Sequence, residues 1–410
     1  MFRYLIETYN KSDKNMIPSF NFTRISHIIF GPGKLVNLYS LISQYGKSVL
    51  IVVGASSLKK SGKLDEIQMT LEDKMINYHV IELKGEPSPS MVDEAAKKYR
   101  NKSIDLVVGI GGGSVTDAGK AISAMIPKVD SIKNYLEGVG TKIHDGQKIP
   151  YIAIPTTSGT GSEATKNAVI SEIGQGGFKK SLRHDNLIPD VAIIDPELMK
   201  SCPPSVTAAC GMDAFTQLLE SYVSSKANPI TDALAYSGMK YMKDALIPAC
   251  SHKSSDINIR SSMAYGSLLS GMTLANAGLG IVHGLASPIG ANFIIPHGVV
   301  CGTILAEATK MNIKILKKIG SEGKISLKKY ADIGALLSNE PLNTEKKLSE
   351  NLSILIKTLE NWTYVLDLNK LSKYGISYDD IKNIVENTGL KNNPVNLDKK
   401  DMIEILENRL

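Results

Sequence analysis

The strongest constraint on this chain lies in residues 104–125, where an apolar run stops at three glycines and then resumes with helical spacing. Residues 104–110 show no polar alternation, as expected of a strand buried on both faces. Gly111-Gly112-Gly113-Ser114 ends it, and 115–125 reads as a helix. Residues without side chains let a backbone come close to an anion. The helix start behind them offers unpaired N–H groups and the positive end of a dipole. A plain tight turn fits the glycines equally well. Asp117, one turn into the helix and facing back toward the loop, favours the nucleotide reading. Neither GxGxxG nor GxxxxGK[ST] occurs.

The flanking segments repeat the alternation. Residues 48–54 form an apolar run ending in glycine, 62–75 a helical pattern, 79–83 a second strand and 151–155 another. Residues 85–90 read as a turn, with a helix starting at Ser90 and Asp93 completing an approximate capping box. This β-α-β-α-β order predicts an N-terminal Rossmann-like α/β domain with a parallel sheet. After Asp195-Pro196-Glu197-Leu198, long helical periods at 206–223, 229–246 and 257–273 predict an all-α C-terminal domain. The expected division is 1–200 and 201–410, with an active site in the cleft between the two domains. Residues 310–410 read as amphipathic helices without evident chemistry.

A length of 410 residues suits two or three domains, or two halves sharing a cleft. The 47 basic and 41 acidic side chains leave +6, and the basic ones are scattered among acids. They predict solvated faces and no nucleic-acid partner. Cys202, Cys210, Cys250 and Cys301 form no CxxC pair, which argues against a zinc ribbon or a disulfide framework. Reduced thiols, no apolar core in the first twenty residues and no run of ~18 apolar residues predict a cytoplasmic protein with no membrane partner.

A second small-residue loop, from Pro155 through Thr156, Thr157 and Gly161 to Thr165, follows the strand at 151–155. Its hydroxyls and glycines suit phosphate, ribose or amide groups at a strand's carboxyl end. A Ser/Thr-rich turn is the alternative. Further along, Asp213 and Gln217 stand at i and i+4 on one helix face. His283 and His297 each precede a glycine in an otherwise apolar stretch. A carboxylate and two imidazoles are a common ligand set for Zn²⁺ or Fe²⁺; histidines satisfied within a core remain the other reading.

The stretches GGGSVTDAGK (111–120), TTSGTGSE (156–163), DPEL (195–198), GMDA (211–214) and the block from His283 to His297 occur in this order. Together they resemble the iron-containing alcohol dehydrogenase family, of dehydroquinate synthase-like fold, over roughly residues 20–305. The resemblance implies a divalent metal, iron preferred and zinc open, on Asp213, His283 and His297, which would also carry catalysis. It implies hydride transfer between a nicotinamide cofactor and a primary alcohol or aldehyde, in a homo-oligomer such as a dimer. It places cofactor contacts at Gly54, Ser56, Ser57, Gly111, Gly112, Gly113, Ser114, Asp117, Thr156, Thr157, Thr165, Asn167 and Lys179; a solvated pair is the other reading of Lys179 and Lys180. Two positions depart from the pattern. Gln217 stands where the family usually has histidine, and would offer a weaker amide oxygen to the metal. Ser287 stands where a further histidine is frequent. No acid follows the strand at 48–54, where Gly54, Ser56 and Ser57 leave room beside two lysines, so NADP(H) is favoured over NAD(H). A glycerol-type polyol dehydrogenase, a dehydroquinate-synthase-like lyase and a nucleotide-binding protein that has lost catalysis are the competing readings.

Overall fold

The computed structural model describes residues 17, 19–55, 57–174, 177–251, 254–338 and 348–410. Ser56 lies outside the described residues.

The N-terminal half is built on one six-stranded sheet. Its strands are β1 (His27–Phe30), β2 (Ser48–Gly54), β3 (Asn77–Leu83), β4 (Leu106–Gly111), β5 (Tyr151–Pro155) and β8 (Val191–Ile194), in the order β1-β8-β5-β4-β2-β3. All pairings in it are parallel. β6 (Asn167–Glu172) and β7 (Phe178–Arg183) form a separate antiparallel hairpin. The central strands are apolar throughout because both faces are covered. Val49, Ile51 and Val53 pack with α1 (Asn37–Tyr45) and α2 (Lys63–Asp73). Leu50, Val52 and Val107 pack with α3 (Pro89–Tyr99) and α4 (Gly113–Met125). From β2 the chain first adds β3 on one side, then returns to place β4 on the other. The carboxyl ends of β2 and β4 therefore flank a topological switch point, where open α/β sheets bind ligands. Gly54 closes β2 there and Gly111 closes β4.

The helical half comprises α5 (Pro204–Val223), α6 (Pro229–Met242), α7 (Ile257–Ala277), α8 (Ile281–Asn292), α9 (His297–Lys318), α10 (Lys324–Ser338), α11 (Leu348–Val365), α12 (Tyr378–Glu386) and α13 (Lys399–Glu407). These share one large core around Phe215, Trp362 and Met263. Among the described residues no single helix is long and apolar enough to cross a membrane. The two halves touch backbone to backbone. Gly161 adopts a left-handed φ of +60, and a Cβ there would lie 2.4 Å from the Gly271 nitrogen on α7.

Three sequence expectations need correction. The third helix begins one residue earlier than expected, with Pro89 at its first position and Ser88 as its cap, accepting from Met91 N at 3.3 Å. Asp93 serves a different turn, accepting from the Ser131 hydroxyl at 2.5 Å and from Ile132 N at 2.8 Å. The helical period at 229–246 breaks after Met242 and resumes as a single turn at Leu246–Ala249. Finally, β1, β6, β7 and β8 had no sequence expectation. They are four to six residues long, and β7 carries three basic side chains.

Candidate active site

α5 presents one stripe of polar side chains at i, i+4 and i+7: Asp213, Gln217 and Glu220, all buried among apolar neighbours. Buried carboxylates need partners, and α8 and α9 supply them. His283, in the first turn of α8, stands between the two acids. Its Nδ1 lies 2.7 Å from Glu220 Oε2 and its Nε2 3.3 Å from Asp213 Oδ1. His297 opens α9, with Nε2 3.8 Å from the same Oδ1. Cys301, one turn further along α9, brings Sγ to 3.6 Å from His283 Nε2 and 3.7 Å from His297 Nε2. Donor atoms of Asp213, His283, His297 and Cys301 all lie within 4.8 Å of one another.

The electrostatics suit a cation. Burial pushes the Asp213 carboxyl up, but His297 and His283 hold it below its ordinary value. Burial opposes charge on His283 as well, yet Cys301, Asp213 and Glu220 together raise its pKa well above the usual range. Burial dominates at His297, pushing it down to about 4, so this imidazole is neutral at physiological pH. Its Nδ1 is buried and has no hydrogen-bond partner among the described residues. A desolvated carboxylate, one neutral imidazole and a second imidazole held by Glu220 through its far nitrogen fit a divalent ion. The acid behind a metal-binding histidine fixes the tautomer that leaves the other nitrogen free.

Gln217 does not fit the ligand role expected of it. Its amide oxygen accepts from the Ser270 hydroxyl at 2.9 Å, and its nitrogen lies 3.2 Å from Asp213 Oδ2. A carboxylate requires the donor side of the amide, so the oxygen faces away from the cluster. Ser287 bonds back to the His283 carbonyl at 3.0 Å and lines the cleft.

The cluster opens onto a cleft of about 540 Å³ between the halves. The wall formed by the N-terminal half includes Gly113, Ser114, Asp117, Thr165, Asn167 and Lys179. No side chain caps the N terminus of α4, so its first-turn N–H groups are left for another acceptor. Thr156 and Thr157 lie outside this wall: Thr156 N bonds Gly111 O at 3.0 Å, and Thr157 packs beside Gly112. Gly54, Ser57, Gly111 and Gly112 also lie outside the lining. Gly111 and Gly113 are required by the protein itself, since a Cβ would come within 2.6 Å of Val115 or Thr160. Asp117 faces the cleft but is spent internally, accepting from the Ser162 hydroxyl and from Val169 N at 3.1 Å. Lys179 reaches into the cleft from β7, paired with Glu86 at 2.5 Å. Glu86, although burial pushes it up, is held below its ordinary value by that lysine.

Sequence reasoning overlooked Glu86, Glu220, Cys301, Lys391 and Asn392. Helical spacing from Asp213, on a segment already read as a helix, would have found Glu220. Glu86 sat in a segment read as a turn. Lys391 and Asn392 line the cleft from the stretch read as free of chemistry.

The profile of the iron-containing alcohol dehydrogenases matches residues 26–196, and that of the family's C-terminal region matches 207–410. Long-chain-alcohol dehydrogenase 1 of Geobacillus thermodenitrificans is 36% identical over 308 residues, 73% of this chain and 76% of its own. The NADPH-dependent butanol dehydrogenase of Clostridium saccharobutylicum is 32% identical over 395 residues, 94% of this chain and 97% of its own. Among solved structures, the archaeal halo-thermophilic Red Sea brine pool alcohol dehydrogenase superposes with a TM-score of 0.85 at 28% identity, covering 97% of this chain and 100% of that one. Fold and neighbours define the class, an oxidoreductase with an N-terminal α/β domain and a helical C-terminal domain. Within that class, the chain belongs to the iron-containing alcohol dehydrogenase family.

Proposed function

We propose that this protein interconverts a primary alcohol and its aldehyde, with a divalent cation on Asp213, His283 and His297 and NADP(H) along the opposite wall of the cleft. The observation that carries this reading is the meeting of those three donors at a cleft that the uncapped start of α4 also lines. When bound, the cation supplies Lewis-acid polarisation of the substrate oxygen and the nicotinamide exchanges a hydride with the substrate carbon. The protein's part is to place and charge the surroundings. Asp213 provides the fixed negative charge. Glu220 holds His283 by Nδ1, turning Nε2 toward the cleft. Burial keeps His297 neutral and able to donate a lone pair. The first turn of α4 and Ser114 offer N–H and O–H donors suited to a pyrophosphate. Lys120 holds the second loop in place from behind, its ammonium donating to the carbonyls of Ser162, Thr165 and Asn167 at 2.8, 2.9 and 2.8 Å.

The purified protein should carry about one divalent ion per chain and reduce aldehydes with NADPH. His283→Ala should lose both the ion and turnover. A His283→Ala protein with full metal occupancy and full turnover overturns the assignment.

A further inference from the structure

Four donors, not three, converge on the cluster. Cys301 is completely buried and sits one helical turn after His297, so both side chains leave the same face of α9. We propose that the Cys301 sulfur, as a thiolate, is a protein ligand of the cation, completing an Asp-His-His-Cys set; this rests on the metal reading above.

The distances carry the case. Metal–sulfur bonds of ~2.3 Å and metal–nitrogen or metal–oxygen bonds of ~2.0–2.1 Å at a tetrahedral centre imply S···N edges of about 3.5 Å and N···O edges of about 3.4 Å. The sulfur stands 3.6 and 3.7 Å from the two Nε2 atoms. Asp213 Oδ1 stands 3.3 and 3.8 Å from the same pair. Four of the six donor–donor spacings thus fall close to the edges of one coordination tetrahedron, and the other two lie within 4.8 Å. Gln217, the other candidate for a fourth donor, has its oxygen on Ser270.

The chemistry balances. As the sulfur–metal bond forms, the thiol proton passes to solvent. Asp213 and the thiolate together bring two negative charges to a dication. A thiolate softens the donor set, which favours zinc or cobalt(II) over harder ions that prefer oxygen donors.

Anaerobic loading of the full-length chain with cobalt(II) tests this without any turnover assay. The wild type should bind one equivalent. It should show the visible d–d bands of a four- or five-coordinate site together with a near-ultraviolet sulfur-to-cobalt charge-transfer band. Cys301→Ser, with Cys301→Ala as its companion, should keep the d–d bands and lose the charge-transfer band. Gln217→Ala should keep both. Cobalt bound in the wild type without the charge-transfer band overturns the role of Cys301 alone, as does a band that survives both Cys301 variants. Failure to bind cobalt at all overturns the metal reading and this inference with it.

Discussion

Glu220 is the residue on which the histidine geometry turns. Its Oε2 meets His283 Nδ1 at 2.7 Å and its Oε1 accepts from Val282 N at 2.7 Å, so one carboxylate fixes both the ring and the turn that carries it. Glu220→Gln keeps the shape but weakens the hold on the tautomer. Metal affinity should fall by ~10–100-fold, read by competition with a chelator; unchanged affinity would show that Glu220 serves packing only. A second change at this scale concerns the cofactor. A Cβ at Gly54 would meet only Val115 among the described residues, at an ordinary 3.6 Å, so the backbone there accepts a side chain. The charge of Gly54→Asp should disfavour a 2′-phosphate by about 1–4 kcal/mol, shifting the kcat/KM ratio of NADPH to NADH roughly fivefold or more toward NADH. A wild-type preference for NADH would defeat the NADP(H) reading. The lysines near that strand end are not both unpaired: Lys59 stands 3.7 Å from Glu82, which β3 brings level with Val53. The sequence could not reveal this pairing, because it depends on strand register.

At the scale of elements, α4 and the loop after β5 behave as one body. Lys120, fully buried on α4, donates to three carbonyls of the segment 162–167. Lys120→Met would strip the Thr165 carbonyl of its donor, at a cost of ~1–3 kcal/mol, while Ser162 O keeps Thr165 N and Oγ1 and Asn167 O keeps Thr165 Oγ1. The urea midpoint should fall by the equivalent of about 1–3 kcal/mol; no loss would mean that water replaces the ammonium. In the same body Glu163 is pushed up to about 7, mainly by burial, with Asp117 adding to the rise. The folded state thus keeps a proton that the unfolded chain releases above its ordinary 4.5. Stability from this group is full at low pH and is lost as pH rises through about 7. Glu163→Gln removes the titration, so the melting-temperature gap between variant and wild type should widen in the variant's favour across that interval. A gap that stays constant with pH rules out this source. β2, β4 and β5 were legible because burial on both faces forces an unbroken apolar run, and glycine marks the end of β2 and β4. The hairpin β6–β7 was not, since Lys179, Lys180 and Arg183 give it the composition of a solvated loop. Asp213, His283 and His297 could be found one by one, but Cys301 could not be joined to them until α9 was known to begin at His297.

For the whole molecule, one contact with no room to give lies where Gly161 meets Gly271 between the two halves. Gly161→Ala combines a left-handed φ with a Cβ 2.4 Å from backbone, so one half must move away from the other. The variant should bind NADPH more weakly and melt earlier, while metal content should stay whole because its donors all lie on α5, α8 and α9. Calorimetry, cofactor titration and metal analysis on one preparation would separate these effects. Loss of metal along with cofactor would mean that the helical half is deformed as well.

That glycine contact also bears on how such a protein can diversify. Where two bodies meet through side chains, a larger or smaller residue acts as a shim, and the gap between them can be tuned in small steps. At this one contact the bearing surface is bare main chain on both sides, and the smallest available step is already too large. Variation in what the cleft accepts must therefore come from its walls, from positions such as Ser287, Lys391 and Asn392, while the fulcrum stays fixed.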